Sequence, residues 1–447
     1  MITLIFKNFI RSNSVRIGII VLVIAGIVSL LVGKQFLDKQ CKNVEETTIY
    51  QQQHINKNVK YHKDEIGLLL YYLKFSLVNN TLPINALSIG QRDVNPSIQS
   101  VTIRALEAQK YDADLNNPTN LLLGNIDFSF VLIFLFPLLI IAFTYNIISE
   151  EKESGTWKIV VVQSENTFVW ILKLFTIRII LMIVILLFIL FLAVPILALP
   201  LDKAFFSFVG ISILYILFWF GLCFWVASLQ RNSSFNVVLL LSIWIVLNII
   251  LPATINNYLI HKYPIPEALS TTIKQRKGYH EKWDMPQKPT IDKFFNHYPQ
   301  FKKYPLPNTD FNWLWYYAMQ QMGDDESVKE AQVLQSKLHQ RETVSLKITQ
   351  FIPSILMQVQ LNEITKSGLG NQLNFLEEMN QFHEKLRLYF YPKIFGESPV
   401  NSENWNQFKV QTFMDKSSIN YSKLFLPLLA FILLLGGLGW VNFKGQI

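Results

Sequence analysis

Six stretches of this chain are apolar for about the 20 residues that a helix needs to cross the hydrocarbon of a bilayer. They cover residues 17–37, 127–148, 175–199, 205–229, 235–255 and 422–442. Within lipid every backbone N–H and C=O must find its partner inside the protein, so each stretch is expected to be a helix. The chain is 51% hydrophobic with a mean hydropathy of +0.28, too apolar for a soluble multidomain protein, yet it keeps long polar segments. The fold class that follows is an all-α polytopic membrane protein with six transmembrane helices and two aqueous regions, 38–126 and 256–421, the second a mainly helical domain.

Basic residues near the span ends set the orientation. Lys7, Arg11 and Arg16 precede the first span, which places residues 1–16 in the cytosol. Six crossings return the tail, 443–447, which carries Lys444, to the same side. Lys152, Lys158, Lys173, Arg178 and Arg231 fall there too, and these nine bases face Glu150, Glu151, Glu153 and Glu165, a balance of +5 within the overall +8. The positive excess is a topology signature and not a nucleic-acid footprint. The first span ends on Gly33-Lys34-Gln35-Phe36 instead of a small-x-small cleavage site, and is read as a retained anchor. Cys41 and Cys223 lie at very different depths and give no disulfide framework.

Ile2, Ile5, Phe6, Phe9 and Ile10 fall near one helical face, which predicts an interfacial helix over 1–16. The first aqueous region is neutral, with an apolar helical patch at 66–77 and turns at Asn79-Asn80, Leu82-Pro83, Asn95-Pro96 and Asn116-Asn117-Pro118. In the second region, which is also nearly balanced in charge, the pattern predicts one long helix over 325–351 and another from Pro353 to Gly368. An apolar stripe follows at Leu373, Leu376, Met379, Phe382, Leu386 and Tyr389. Residues 262–310 show little periodicity and stay unassigned. The run Trp313-Leu314-Trp315-Tyr316-Tyr317 suits a domain core or dimer contact, and alternatively a substrate path or a dip into the outer leaflet.

No ionisable residue sits at mid-depth, since Arg178 and Asp127 are near span ends, which argues against ion-coupled transport. The chain lacks a G-x-x-x-x-G-K-[ST] phosphate loop, so any energy source is on another polypeptide. His280-Glu281 and His383-Glu384 start like zinc-peptidase helices but lack the second His at i+4. No serine sits in a G-x-S-x-G elbow, so neither a metal nor an enzymatic activity is expected.

The segment between the second and third spans, 149–174, reads Glu150-Glu151-Lys152-Glu153-Ser154-Gly155-Thr156 and then Trp157-Lys158-Ile159-Val160-Val161-Val162. This describes a short acidic helix, a break, and an apolar surface restarting. Acids at a helix C-terminus oppose the dipole by about 0.3–1 kcal/mol, so they are read as the start of a new helix or as charges offered to a partner. Ser164-Glu165-Asn166 supplies an N-cap for the helix leading into the third span.

The order of interfacial helix, span, external segment, span and E-x-E-x-G-T loop resembles the permease subunits of type-2 ABC exporters. Leu87-Ser88-Ile89-Gly90-Gln91-Arg92-Asp93, Asn117-Pro118, Gly124-Asn125-Ile126-Asp127-Phe128-Ser129-Phe130-Val131 and the run from Pro137 to Glu151 look like the DUF3526-containing subgroup. So do Phe351-Ile352-Pro353 and Phe382-His383-Glu384-Lys385-Leu386-Arg387. The resemblance spans nearly the whole chain. One departure is Phe6-Lys7-Asn8, where many relatives carry an acid. The resemblance implies a multi-pass protein of the bacterial cytoplasmic membrane that forms a homo- or heterodimer of permease protomers in the lipid bilayer. Each dimer would bind ABC ATP-binding subunits that hold ATP and Mg, with no cofactor on this chain. It further implies coupling to the ATPase through Glu150, Glu151, Glu153, Gly155 and Thr156, and export of a substrate. The competing reading is a mechanotransmitter that drives an extracytoplasmic protein.

Overall fold

A computed structural model describes residues 2–110, 125–164 and 166–444. The predicted turn at Asn116-Asn117-Pro118, the Asn117-Pro118 and Gly124 positions of the motifs, and Glu165 lie outside them. α1 (Ile2–Arg11) is separate from α2 (Asn13–Tyr61), and Phe9 meets Phe143 edge-on at 5.5 Å. α2 has 49 residues. At 1.5 Å per residue it is about 73 Å long, more than twice the hydrocarbon thickness. α3 (Ile66–Tyr72) and the strands β1 (Phe75–Asn79) and β2 (Ile98–Val101) follow.

The second span, Phe128–Glu153, includes a π-helical turn at Val131–Leu135, α4 (Phe136–Thr144) and α5 (Ser149–Glu153). Next come α6 (Trp157–Gln163), α7 (Thr167–Leu197) and α8 (Lys203–Ser228). The fifth span joins α9 (Ser233–Ile245), a π turn at Val246–Ile250 and α10 (Leu251–Lys262). The polar region contains α11 (Glu267–His280), α12 (Gln287–His297), α13 (Trp313–Thr349), α14 (Pro353–Ile364), α15 (Leu369–Phe395) and β3 (Gln411–Phe413). α16 (Tyr421–Lys444) is the last span. Among the described residues six helices are long and apolar enough to cross a membrane, the make-up of a multi-pass membrane protein.

Side-chain oxygens start several of these helices by accepting a first-turn N–H, as the N-terminal caps of Asp202 on Phe205, Asn232 on Phe235 and Asn166 on Val169 show. The bundle packs around α8, whose Tyr215, Trp219, Phe208 and Phe220 are fully buried. A second core lies in the polar body around Phe294, Tyr317, Phe375, Phe390 and Tyr391. Leu314, Trp315, Tyr316 and Tyr317 are buried in this second core, so the aromatic run serves the body's interior.

Three local readings need correction. The patch 66–77 is helical only to Tyr72, and Phe75–Asn79 is a strand whose five residues are all buried, a case in which a short apolar run cannot tell a helix from an interior strand. The long helix starts twelve residues before Asp325, because Asn312 caps it by accepting from Trp315 N at 2.8 Å. The following helix stops at Ile364, and Lys366 takes a left-handed φ of 54°.

The two polar regions form one body. β1 pairs antiparallel with β2 and parallel with β3, with Leu77 opposite Gln411. Gln51 on α2 donates to Phe408 O (3.0 Å) and accepts from Ser76 N (2.7 Å). Buried Arg387 on α15 donates to Ile103 O, Arg104 O, Gln321 Oε1 and Asp324 Oδ2, while Asp324 on α13 accepts from Leu106 N at 2.9 Å.

His383, one turn before Arg387, is buried and donates from Nε2 to Thr102 O at 2.9 Å. Burial, reinforced by Arg387, holds its imidazole neutral well below the usual histidine range. Below about pH 6.5 the unfolded chain binds a proton that the folded body refuses, so this residue lowers stability on acidification by up to about 1.4 kcal/mol per pH unit. The expected result is that His383→Gln reduces the loss of stability between pH 6.5 and 5.5, read by urea unfolding of the purified protein. An unchanged pH profile would remove His383 as its source.

Candidate functional site

The acidic segment lies at the end of the bundle that carries α1, and its side chains are largely committed within the protein. Glu153 Oε1 accepts from Ser233 N at 2.7 Å and Oε2 from Ser233 Oγ at 2.9 Å. Ser149 Oγ meets the same hydroxyl at 2.7 Å, and Lys152 Nζ donates to Gln230 Oε1 at 2.6 Å. Gln230 holds a left-handed φ of 55° in the turn between α8 and α9. Asn236 Nδ2 reaches Tyr145 O at 3.0 Å. The second span is thereby tied to the turn that joins the fourth and fifth.

Glu151 receives the Thr156 hydroxyl on both its carbonyl and its carboxylate, while Glu150 accepts from Asn146 Nδ2 at 2.6 Å. Gly155, with φ 77°, makes the reversal that redirects the chain, and no atom lies within 4 Å of where its Cβ would stand. Only the backbone conformation demands glycine here.

What this joint presents outward is α6, in which no residue is fully buried. Trp157 anchors it, half-buried beneath Lys152 Nζ at 5.5 Å and edge-on to Trp170 at 6.4 Å. Ile159, Val161 and Val162 stand free, the last 84% exposed. The structure therefore separates two roles within the predicted segment. Glu151, Glu153, Gly155 and Thr156 shape the support, and the apolar run after them forms the face. Ser233 and Gln230 carried no signal beyond the polar break Gln230-Arg231-Asn232-Ser233 between two apolar runs.

Arg178 lies in the fourth turn of α7, since that helix starts eight residues before the predicted span. Its Nε donates to Phe143 O at 2.7 Å and its guanidinium covers the Phe9 ring at 4.5 Å, so it links α1, α4 and α7.

A second convergence closes the opposite end of the bundle. Leu356, Met357, Leu361 and Ile364 of α14 belong to the bundle's core and not to the body's, and Ile84, Ala86 and Leu87 of the turn Pro83–Leu87 join them. Tyr215 hydroxyl reaches Ile133 O and Ser354 Oγ, both at 3.2 Å. Ser88 Oγ donates to Asn362 Oδ1 (2.8 Å), Ile89 N to Asp127 Oδ2 (2.8 Å), Gln91 N to Ser367 O (2.8 Å) and Arg92 Nε to Lys366 O (2.9 Å). Gly90 has φ 56°, and a Cβ on it would lie 2.6–2.9 Å from Ser367 and Asn362. Leu87–Asp93, the segment around Asp127 and the helix opened by Pro353 are far apart in sequence, and here they meet. Both π-helical turns, Val131–Leu135 and Val246–Ile250, pack on α14, at the kind of local widening often found at functional sites.

Comparison with known families matches residues 269–413, from α11 to β3, to a family model described as a domain of unknown function, DUF3526. No curated protein and no solved structure matches the chain.

Proposed function

We propose that the chain is the membrane-spanning permease subunit of an ABC-2 type exporter, seated in the bacterial cytoplasmic membrane with both termini in the cytosol. It pairs with a second permease protomer and is driven by separate ABC ATP-binding subunits that carry ATP and Mg. The observation that carries this reading is α6, an exposed apolar helix held on a hydrogen-bonded joint between the second, fourth and fifth spans. A partner that grips α6 moves three spans together, because Glu153 and Lys152 transmit the displacement to Ser233 and Gln230. The fifth span leaves room for a second protomer or lipid, since only 11% of its most apolar stretch is buried within the chain. For motion to follow, the ATPase has to bind the two permease states with different affinity.

Affinity purification from mild detergent, with an ATPase assay on the eluate, tests the reading. Wild-type chain is expected to retain an ATP-binding subunit, and Ile159→Asp/Val162→Asp to lower its recovery about tenfold or more, the effect of losing a central apolar anchor. Glu153→Ala, which removes both contacts to Ser233, is expected to keep the partner and lose the coupling of its turnover to the bundle. Undiminished recovery with the double Asp variant refutes docking on α6, and a wild-type eluate free of ATPase refutes the exporter.

One observation favours the second reading, a mechanotransmitter acting on an extracytoplasmic protein. α2 runs unbroken from the bundle into the body, and α14 and residues 83–92 tie the body to the mouth of the bundle. A tilt of the spans would carry the whole body with it. Tethering the body to a bead and recording its displacement under ATP, in liposomes with no candidate substrate, separates work on a partner from transport.

A further inference from the structure

A cavity of about 330 Å³ opens beside the closed mouth of the bundle, between α10, the C-terminal part of α13 and α14. Its walls include Leu259 and Ile260 on the extension of the fifth span, Leu346 on α13 and Leu369 at the start of α15. Two carboxylates face the same space, Glu342 and Glu363. A Cβ on Gly370 would stand 2.6 Å from Glu342 Oε1 and 3.8 Å from Glu363 Oε1, so the two oxygens are at most about 6.4 Å apart around a glycine that leaves room for them.

Among the described residues neither carboxylate has a lysine or arginine bound to it. His339 Nδ1, on an imidazole half exposed to solvent, is 3.8 Å from Glu342. Lys366 is held by Ser417, and Arg341, which also borders the cavity, gives its Nε to Tyr263 O at 2.7 Å. Burial raises the pKa of both acids and Glu363 raises that of Glu342 further, a shift that Lys366 offsets only in part at Glu363 and His339 only in part at Glu342. Two half-buried negative charges with so little compensation attract a cation. A calcium or magnesium ion suits the place poorly, because among the described residues no three His, Cys, Asp or Glu side chains stand close enough to share one, and these ions take six or more oxygens. An apolar wall next to a carboxylate pair, continuous with a span, fits a molecule with an aliphatic tail and a protonated amine head.

We infer that this cavity binds amine-headed amphiphiles, with the ammonium between Glu342 and Glu363 and the tail along Leu259, Ile260 and Leu346. The inference deepens the exporter reading and rests on it for the claim that such a molecule is cargo, whereas the binding itself stands on the cavity alone.

The test uses the full chain in phosphatidylcholine nanodiscs with a dodecylamine that carries a photoreactive diazirine on its tail, followed by peptide mapping. Label is expected in residues 256–260 and 341–346, which the tail touches. Unlabelled dodecylamine should compete, and dodecanoic acid should not. Glu342→Gln/Glu363→Gln should cut the labelling about tenfold, the loss of a charge-assisted contact. Ile260→Trp, on a different helix, should do so by filling the tail's place. The site is refuted if label in these peptides survives both variants, if dodecanoic acid competes equally, or if calcium chloride alone displaces the probe. ATPase recovery is measured on the same preparations. Labelling without ATPase keeps the site and removes the exporter, and ATPase without labelling does the reverse.

Discussion

Replacing Arg387 by alanine is expected to destabilise the polar body by about 3–5 kcal/mol, the cost of breaking a buried ion pair from one side. The guanidinium is buried, and its donors reach two carbonyls of the first polar region, Ile103 and Arg104, and two side chains of α13, Gln321 and Asp324. Removing it leaves the Asp324 carboxylate without its countercharge, still holding Leu106 N, and leaves both carbonyls without a donor from Arg387. Neighbouring charges hold Arg387 protonated against the penalty of burial, so relief by neutralisation is closed to it. Arg387→Met/Asp324→Leu should cost clearly less than Arg387→Ala, because no lone charge then remains inside. Urea titration of the body's resistance to trypsin reads both. A loss below about 1 kcal/mol for the alanine variant would mean that the pair is not what joins the two regions.

Gly90→Val is expected to open the mouth of the bundle. At φ 56° an L-residue with a branched Cβ is strained by about 1–2 kcal/mol. The new carbon would also lie 2.7 Å from the backbone oxygen of Ser367, an atom that cannot swing aside as the Ser367 hydroxyl can. The chain has to shift, and with it the bonds that Ser88, Ile89, Gln91 and Arg92 make to Asn362, Asp127, Ser367 and Lys366. Ser354, buried in the first turn of α14, gives the readout. A cysteine placed there should react with a membrane-impermeant maleimide on the order of ten to a hundred times faster in the Gly90→Val background than with Gly90 kept, as a local opening of about 1.4–3 kcal/mol implies. Equal rates would show that the contact is dispensable.

The spans were legible because lipid permits little else: a long apolar run has to be a helix, so length and composition alone located all six. What could not be read was pairing across distance. Phe75–Asn79 looks like the continuation of the helix before it, and only β3, more than three hundred residues later, makes it an interior strand. The start of α13 depended on whether Asn312 would cap, a matter of one side-chain rotamer. The acidic segment was located by its composition, and the exposed apolar run of α6 was visible after it. That Glu153 would turn inward to Ser233 was not, because the turn between α8 and α9 has no periodic signature. The convergence that closes the mouth of the bundle was foreshadowed only as separate motifs, since the hydrogen bonds that unite Ser88 with Asn362 and Ile89 with Asp127 leave no trace in local spacing.

The parallel pairing of β1 with β3 also sets a timetable for biogenesis. Leu77 lies opposite Gln411, so the first strand has been made long before its neighbour exists. At a synthesis rate of 5–20 residues per second, the interval is roughly 20 to 70 s. Throughout that time one edge of β1 is open, and the Phe75, Leu77 and Val78 side chains that the finished body buries lack most of their cover. A nascent chain in this state carries an unpaired strand edge, a template for pairing with other chains, on whichever face of the membrane receives it. Slowing translation between the fourth span and β3 would lengthen the exposure, and aggregates formed then would contain the first half of the chain already inserted.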